Sequence, residues 1–275
     1  MTATASAENR AAPGARSVRF TNVGGLPIAV LDRNETARMM CDAARARSRG
    51  GRPLYLTSAN GEVLARCFLD KAMEKLFLQA DQIAADGQPM VLASRFLSRE
   101  ALPERVATTD LFHDVARLAE AEGLSFYMLG ASKAENDRAV AAARRLYPDL
   151  IIAGHSDGYL KPEEIDDRIA EINALRPDIL WLAMGVPLEQ QFMAEHGHKL
   201  TGVGVVKTSG GLFNFLSGKN KRAPGIMQKL GLEWLWRIFQ EPRRLVWRYS
   251  VTNPVALWAM LRRANQPVAL KENQV

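Results

Sequence analysis

The sequence predicts an α/β fold, a mostly parallel β-sheet with helices on both faces, followed by a helical, basic and aromatic C-terminal appendage. Two observations carry this. From about residue 18, short apolar runs alternate with longer amphipathic ones, and strands spaced by helical patterns belong to parallel sheets layered with helices. After Val206 the pattern changes to a glycine-rich run, "KTSGGLFNFLSGKNKRAPG", and then to a stretch crowded with tryptophan and arginine.

Taken in order, the chain opens with "MTATASAENRAAPGARS". It has no apolar run of the kind a signal peptide needs, and residues 1–17 read as a disordered lead. The predicted strands are Arg52–Ser58, Gln82–Ala85, Ser125–Leu129, Leu150–Ala153, Ile179–Ala183 and Val203–Val206. Each is a short apolar run bounded by turn residues. Between them the helical period predicts helices over Glu35–Ser48, Glu62–Gln79, Leu111–Glu122, Lys133–Tyr147, Pro162–Leu175 and Leu188–His196. Asp110 offers an N-cap, and Pro162 with two following acids suits a first helical turn. The arrangement is Rossmann-like. A boundary near Gly218 divides an α/β domain, 18–218, from an appendage, 219–275.

Charge is unevenly placed. Residues 219–263 hold ten Lys and Arg against Glu233 and Glu241, so the rest of the chain is net acidic although the whole carries +6. Four of the five tryptophans, Trp234, Trp236, Trp247 and Trp258, lie in the same stretch. Tryptophans beside arginines suit a membrane interface, where the rings sit at headgroup level and the cations meet anionic lipid. They equally suit an amphipathic helix packed on the domain. No run approaches the roughly 18 apolar residues of a spanning helix. Cys41 and Cys67 suggest neither a disulfide framework nor a metal site, which fits a reducing compartment.

In a parallel α/β sheet, ligands bind beyond the carboxyl ends of the strands. There the sequence places "TSAN", "DG", "GAS", "GHSDGY", "MGVPLEQ" and "KTSGG", all small, polar and glycine-rich. Such loops let backbone approach phosphate and ribose closely. Asp86 follows the apolar "QIAA" and projects from a strand end, where a carboxylate can act as general base toward a hydroxyl. The Asp-Gly pair also suits a plain turn, and Asp157 in "HSDGY" shares that ambiguity. His196 and His198 lack a third ligand at a zinc spacing. No GxGxxG, P-loop or GxSxG occurs, which argues against dinucleotide oxidoreductases, P-loop kinases and serine hydrolases. No DxD pair follows a strand, so another positive charge would have to steady a leaving diphosphate.

The ordered motifs "TSAN" (57–60), "ADG" (85–87), "YMLGAS" (127–132), "GHSDGY" (154–159), "MGVPLEQ" (184–190), "GGLFNFLSG" (210–218), "RAP" (222–224) and "GLEWLWRIFQEPRRLVWRY" (231–249) resemble the WecG/TagA/CpsF glycosyltransferases, from about residue 20 to about 255. The resemblance implies an inverting, metal-independent transfer from a UDP-sugar to a polyprenyl-diphosphate-linked saccharide at an anionic membrane surface, on the cytoplasmic face of the inner membrane. It needs no cofactor, since the UDP-sugar is a substrate. Carried over, Asp86 is the base with Asn60 beside it. Thr57, Ser58, Gly130, Ala131, Asp157, Gly185, Glu189 and Gln190 line the substrate site. Arg222, Arg237, Arg243 and Arg244 from the appendage meet the diphosphate, with Arg237 and Arg244 assigned to catalysis. Two departures stand out: Leu188-Glu189-Gln190 where the family has Gln-Glu after the proline, and Asn214 where many members have Asp. The wording "KTSGGLF…LSG" is closest to a GumM-like branch, which implies UDP-glucose as donor in exopolysaccharide assembly. The alternative is an N-acetylmannosamine or N-acetylmannosaminuronate transferase for teichoic acid or enterobacterial-type polymers. A homo-oligomer is compatible with all of this.

Two readings of other classes compete. A nucleic-acid-binding module could use the same basic aromatic tail. However, the acidic remainder and the polar strand-end loops serve no such module, so no nucleic-acid partner is expected. A non-catalytic membrane scaffold is the other, and UDP-sugar protection against unfolding would count against it.

Overall fold

The computed structural model describes residues 18–46, 50–225, 227, 233–240 and 242–268. The lead expected over 1–17, and Ser48 at the end of a predicted helix, lie outside them. The eight-stranded sheet runs β1-β2-β4-β3-β8-β7-β5-β6, and every neighbouring pair is parallel except the hairpin β1–β2. All six predicted strands are present: β3 Leu54–Ala59, β4 Gln82–Ala85, β5 Ser125–Gly130, β6 Ile151–Ser156, β7 Ile179–Ala183 and β8 Val205–Thr208. The hairpin of β1 (Phe20–Val23) and β2 (Leu26–Ala29) was not predicted. Its signal is Gly24-Gly25 between two short apolar runs. Both glycines have positive φ, 62° and 101°, as a two-residue turn matched to strand twist requires.

The helices alternate between the two faces. One core layer gathers residues of α2 (Gly61–Leu69), α3 (Lys71–Phe77), α4 (Gln88–Leu97), α7 (Ile165–Leu175) and α8 (Leu188–His196). The other gathers α1 (Arg33–Ala46), α5 (Thr108–Glu122), α6 (Lys133–Leu146) and α9 (Leu212–Leu216). Strand side chains alternate between the layers: on β7, Leu180 and Leu182 join the first, and Ile179, Trp181 and Ala183 the second. That period of two marks strands buried on both faces.

Several elements differ from the sequence reading, each for a local reason. The helix predicted over Glu62–Gln79 is two, because Asp70 leaves the helical conformation as C-cap of α2 and its side chain accepts from Ala72 N at 2.8 Å to start α3. Helix α4 was not predicted; it starts at the Asp-Gly turn, with Pro89 in its first turn. Asp110 is not the N-cap of α5. That helix begins at Thr108 with Ala107 before it, and Asp110 lies in the first turn, where it pairs with Arg222. Strand β8 runs two residues past its predicted end, through Lys207. A charged residue reads as a strand's limit, yet here it is wholly buried.

The C-terminal segment forms α10 (Glu233–Gln240) and α11 (Pro242–Arg262). Helix α11 lies along α2, and Ala256 and Met260 enter the first core layer. Its register is fixed by Arg248 to Glu62 at 2.9 Å and, just past its end, Arg263 to Glu74 at 2.5 Å. Among the described residues no helix is long and apolar enough to cross a membrane. Because Met260 is 6% exposed within the main core, Met260→Ala should lower stability by about 2–5 kcal/mol. Urea unfolding checks this; a value within error of the wild type would mean that α11 only rests on the surface.

Candidate active site

The parallel strands deliver their polar loops to one edge of the sheet. At its centre, Asp86 continues β4, and its N–H donates to Ala59 O at the end of β3, 2.8 Å away. The carboxylate is about a quarter exposed. Its Oδ2 accepts from Thr108 N (3.2 Å) and Thr108 Oγ1 (3.0 Å) at the start of α5, where helix N–H groups favour an anion. Its Oδ1 faces Arg105 Nε at 3.4 Å. Asp86 is thus both a turn residue and a held, reachable carboxylate. Asn60 stands next to it: Gly87 lies so close that a Cβ there would meet Asn60 Cα at 3.4 Å. Asn60 is exposed, and its Oδ1 caps α2 by accepting from Val63 N at 3.1 Å.

Beneath Asp86 lies a buried polar layer formed by β3, β8 and α8. Lys207 has no solvent exposure; its Nζ donates to Ser58 Oγ at 2.8 Å and Thr208 O at 2.7 Å. Ser58 Oγ is 3.3 Å from Thr108 Oγ1. Thr57 Oγ1 accepts from Thr208 Oγ1 (2.8 Å) and Gln190 Nε2 (3.2 Å). Burial lowers the Lys207 pKa to about 8, against the pull of Glu189 and Asp86. Burial raises that of Glu189, although Gly210 N–H, Lys207, Gln190 and Gly185 N–H all favour its anion.

Glu189 also ties two loops together. Its Oε2 accepts from Gly185 N at 3.2 Å, after β7, and from Gly210 N at 2.9 Å, after β8. The loop after β5 joins them: Ala131 N donates to Ala183 O at 2.9 Å, and Gly158 N to Ala131 O at 2.9 Å. Gly130 has φ 142°, and a Cβ there would fall 2.2 Å from Ala183 O, so only glycine fits. Asp157 Oδ1 accepts from Tyr159 N in a local turn at 3.0 Å.

The C-terminal segment contributes charge above the edge. Arg105 contacts Glu233 of α10 at 2.5 Å as well as Asp86. Arg222 also reaches Glu233, at 3.2 Å, and pairs with Asp110. Burial opposes the charge on Arg105, but Asp86 and Glu233 outweigh it and hold the guanidinium above its ordinary value. Arg243 is exposed on α11. The side chains of Arg237 and Arg244 lie outside the described residues.

The structure therefore brings Asp86, Asn60, Thr57, Ser58, Glu189 and Gln190 to one strand edge with the Gly130–Ala131 and Gly185 loops, and sets Arg222 beside it. Sequence reasoning missed Arg105, Thr108, Lys207 and Glu233. Arg105 and Thr108 sit in "PERVATTD", which carries no motif. Lys207 had a signal, a lone lysine closing an apolar run before a glycine pair. A separate cavity of about 370 Å³, lined by Arg52, Tyr55, Met193 and His198 among others, opens by the residues that lead into β3 and includes none of these strand-end groups.

Residues 21–269 match the Glycosyl transferase WecG/TagA/CpsF family. A protein of Bacillus spizizenii (strain ATCC 23059 / NRRL B-14472 / W23), N-acetylglucosaminyldiphosphoundecaprenol N-acetyl-beta-D-mannosaminyltransferase, is 31% identical over 209 residues, 76% of this chain and 79% of the relative. Proteins of the same name from Bacillus subtilis (strain 168) and Staphylococcus aureus (strain MW2) are 30% and 28% identical, over 72% and 70% of this chain and 75% and 74% of theirs. The chain belongs to the WecG/TagA/CpsF family of glycosyltransferases.

Proposed function

We propose that the protein transfers N-acetylmannosamine from its UDP derivative to N-acetylglucosamine carried on a polyprenyl diphosphate, with inversion and without a metal. The donor departs from the UDP-glucose expected from the sequence: the relatives are named for N-acetylmannosamine, and none of them supports glucose. The observation that carries the reaction is the Asp86 carboxylate, fixed by Thr108 and Arg105 at the strand edge yet still reachable. It removes the proton from an acceptor hydroxyl as that oxygen attacks the anomeric carbon. The bond from that carbon to the diphosphate oxygen breaks in the same displacement, and UDP leaves. Arg105 and Arg222 stand where fixed positive charge can neutralise the leaving diphosphate.

The same reading has the protein working at an anionic membrane surface, where such an acceptor is held. Supporting this, Phe239, Trp247 and Trp258 of α10 and α11 are 71%, 75% and 55% exposed, an unusual place for aromatic rings without a partner. Trp236 is turned differently: it is half-buried, and its Nε1 donates to Lys221 O at 3.3 Å.

The test is incubation with separate UDP-sugars and a polyprenyl-diphosphate N-acetylglucosamine acceptor, with the product identified by mass. UDP-N-acetylmannosamine should give product; product only from UDP-glucose would restore the other donor. Asp86→Asn should lower turnover by about 10²–10⁴-fold, the worth of a general base, with the thermal midpoint little changed. Near-normal turnover would remove Asp86 from catalysis. Activity should survive EDTA; a loss restored by Mg²⁺ or Mn²⁺ would overturn the metal-free reading. Joint replacement of Phe239, Trp247 and Trp258 by serine should weaken sedimentation with anionic liposomes while sparing turnover on a short-chain acceptor. Unchanged liposome binding would assign those rings to another surface.

A further inference from the structure

Among the described residues Lys207 is a charged side chain with no solvent exposure, and the proton-transfer step makes no direct use of it. A wholly buried ammonium carries a large desolvation cost unless nearby groups compensate it. Here Ser58, Thr208 O and the charges of Glu189 and Asp86 do so. The hydrogen bonds above Lys207 have only one consistent direction. Thr108 spends its single hydroxyl proton on Asp86 Oδ2, 3.0 Å away. Ser58 must then donate to Thr108 across 3.3 Å, and Ser58 Oγ is left to accept from Lys207 Nζ at 2.8 Å. Every donor points from the cation toward the carboxylate, and such chains polarise one another in a low-dielectric interior.

We propose that Lys207 is a positioning residue for the transfer: through Ser58 and Thr108 its ammonium orients the Asp86 carboxylate and supports it as an anion from beneath. The role rests on the transferase reading above. It assigns a function to a cation that has no solvent exposure. The charged groups acting on Lys207 are Glu189 of α8 and Asp86 beyond β4, and Asp86 in turn faces Arg105. The depressed value of about 8 gives the proposal a signature. Loss of the ammonium charge above that pH should weaken turnover in the wild type, and a side chain that cannot titrate should abolish that limb.

The experiment compares pH profiles of turnover for the wild type and Lys207→Met, with UDP-N-acetylmannosamine and the lipid-linked acceptor, and follows folding by circular dichroism. Lys207→Met should lower kcat roughly 10- to 100-fold, as loss of a supporting partner does, with little change in donor KM. Its profile should lack the alkaline limb that the lowered Lys207 pKa gives the wild type. A folded Lys207→Met with wild-type kcat, or one that keeps the limb, would overturn the role. If that variant fails to fold, Ser58→Ala decides: it leaves the charge and cuts the chain, so kcat should fall at unchanged KM and the alkaline limb should flatten. Wild-type kcat in Ser58→Ala, or a change confined to KM, would overturn the proposal equally. Absence of transfer by the wild type itself would bring down the transferase reading and this role with it. Transfer by the wild type with undisturbed variants would remove the Lys207 role alone.

Discussion

The polar layer buried under the carboxyl edge of the sheet is the constraint on which the site depends. Two central strands carry Thr57-Ser58 and Lys207-Thr208 toward their carboxyl ends, and α8 turns Glu189 and Gln190 inward against them. Each buried polar group must find a partner, so the layer locks its neighbours. Gln190 reaches Thr57 across the sheet, Glu189 gathers the loops after β7 and β8, and Lys207 reaches up through Ser58. The loops that surround this strand edge are held by the interior instead of by each other alone.

The C-terminal segment completes the edge from outside. Helix α11 is anchored on α2 and α3 by buried alanines, Met260 and an ion pair to each, Arg248 to Glu62 and Arg263 to Glu74, and Glu233 of α10 meets both Arg105 and Arg222. Asp86, Asp110 and Glu233 balance the two guanidinium groups, and the resulting ion-pair cluster ties the C-terminal segment to the sheet edge.

The alternation of apolar runs made the sheet and most helices legible, because burial on both faces leaves strands as short uninterrupted runs. The strand-end loops were legible for the same reason, as they interrupt those runs with small polar residues. Position alone singled out Asp86 at a strand end but left a plain Asp-Gly turn as the other reading. The hairpin β1–β2 escaped because its signal lies in the turn, Gly24-Gly25, and the two short runs that flank it carry no motif of their own. Lys207 escaped because composition treats lysine as a surface residue, and only tertiary contacts show a buried one compensated. Arg105 escaped because nothing local distinguishes a loop arginine that faces a carboxylate nineteen residues away. Of the departures from the family pattern, the one at Glu189 and Gln190 falls on interior residues of that polar layer, so the exchange alters how the loops are braced as well as what they present.

The central claim is that the donor binds at the carboxyl edge over this layer. Amide hydrogen exchange with and without UDP tests it most directly. The account predicts slowed exchange in residues 57–61, 130–132, 184–190 and 208–211, with little change around the cavity lined by Arg52, Tyr55 and His198. Protection confined to the cavity's residues, with the strand-end loops unaffected, would contradict it.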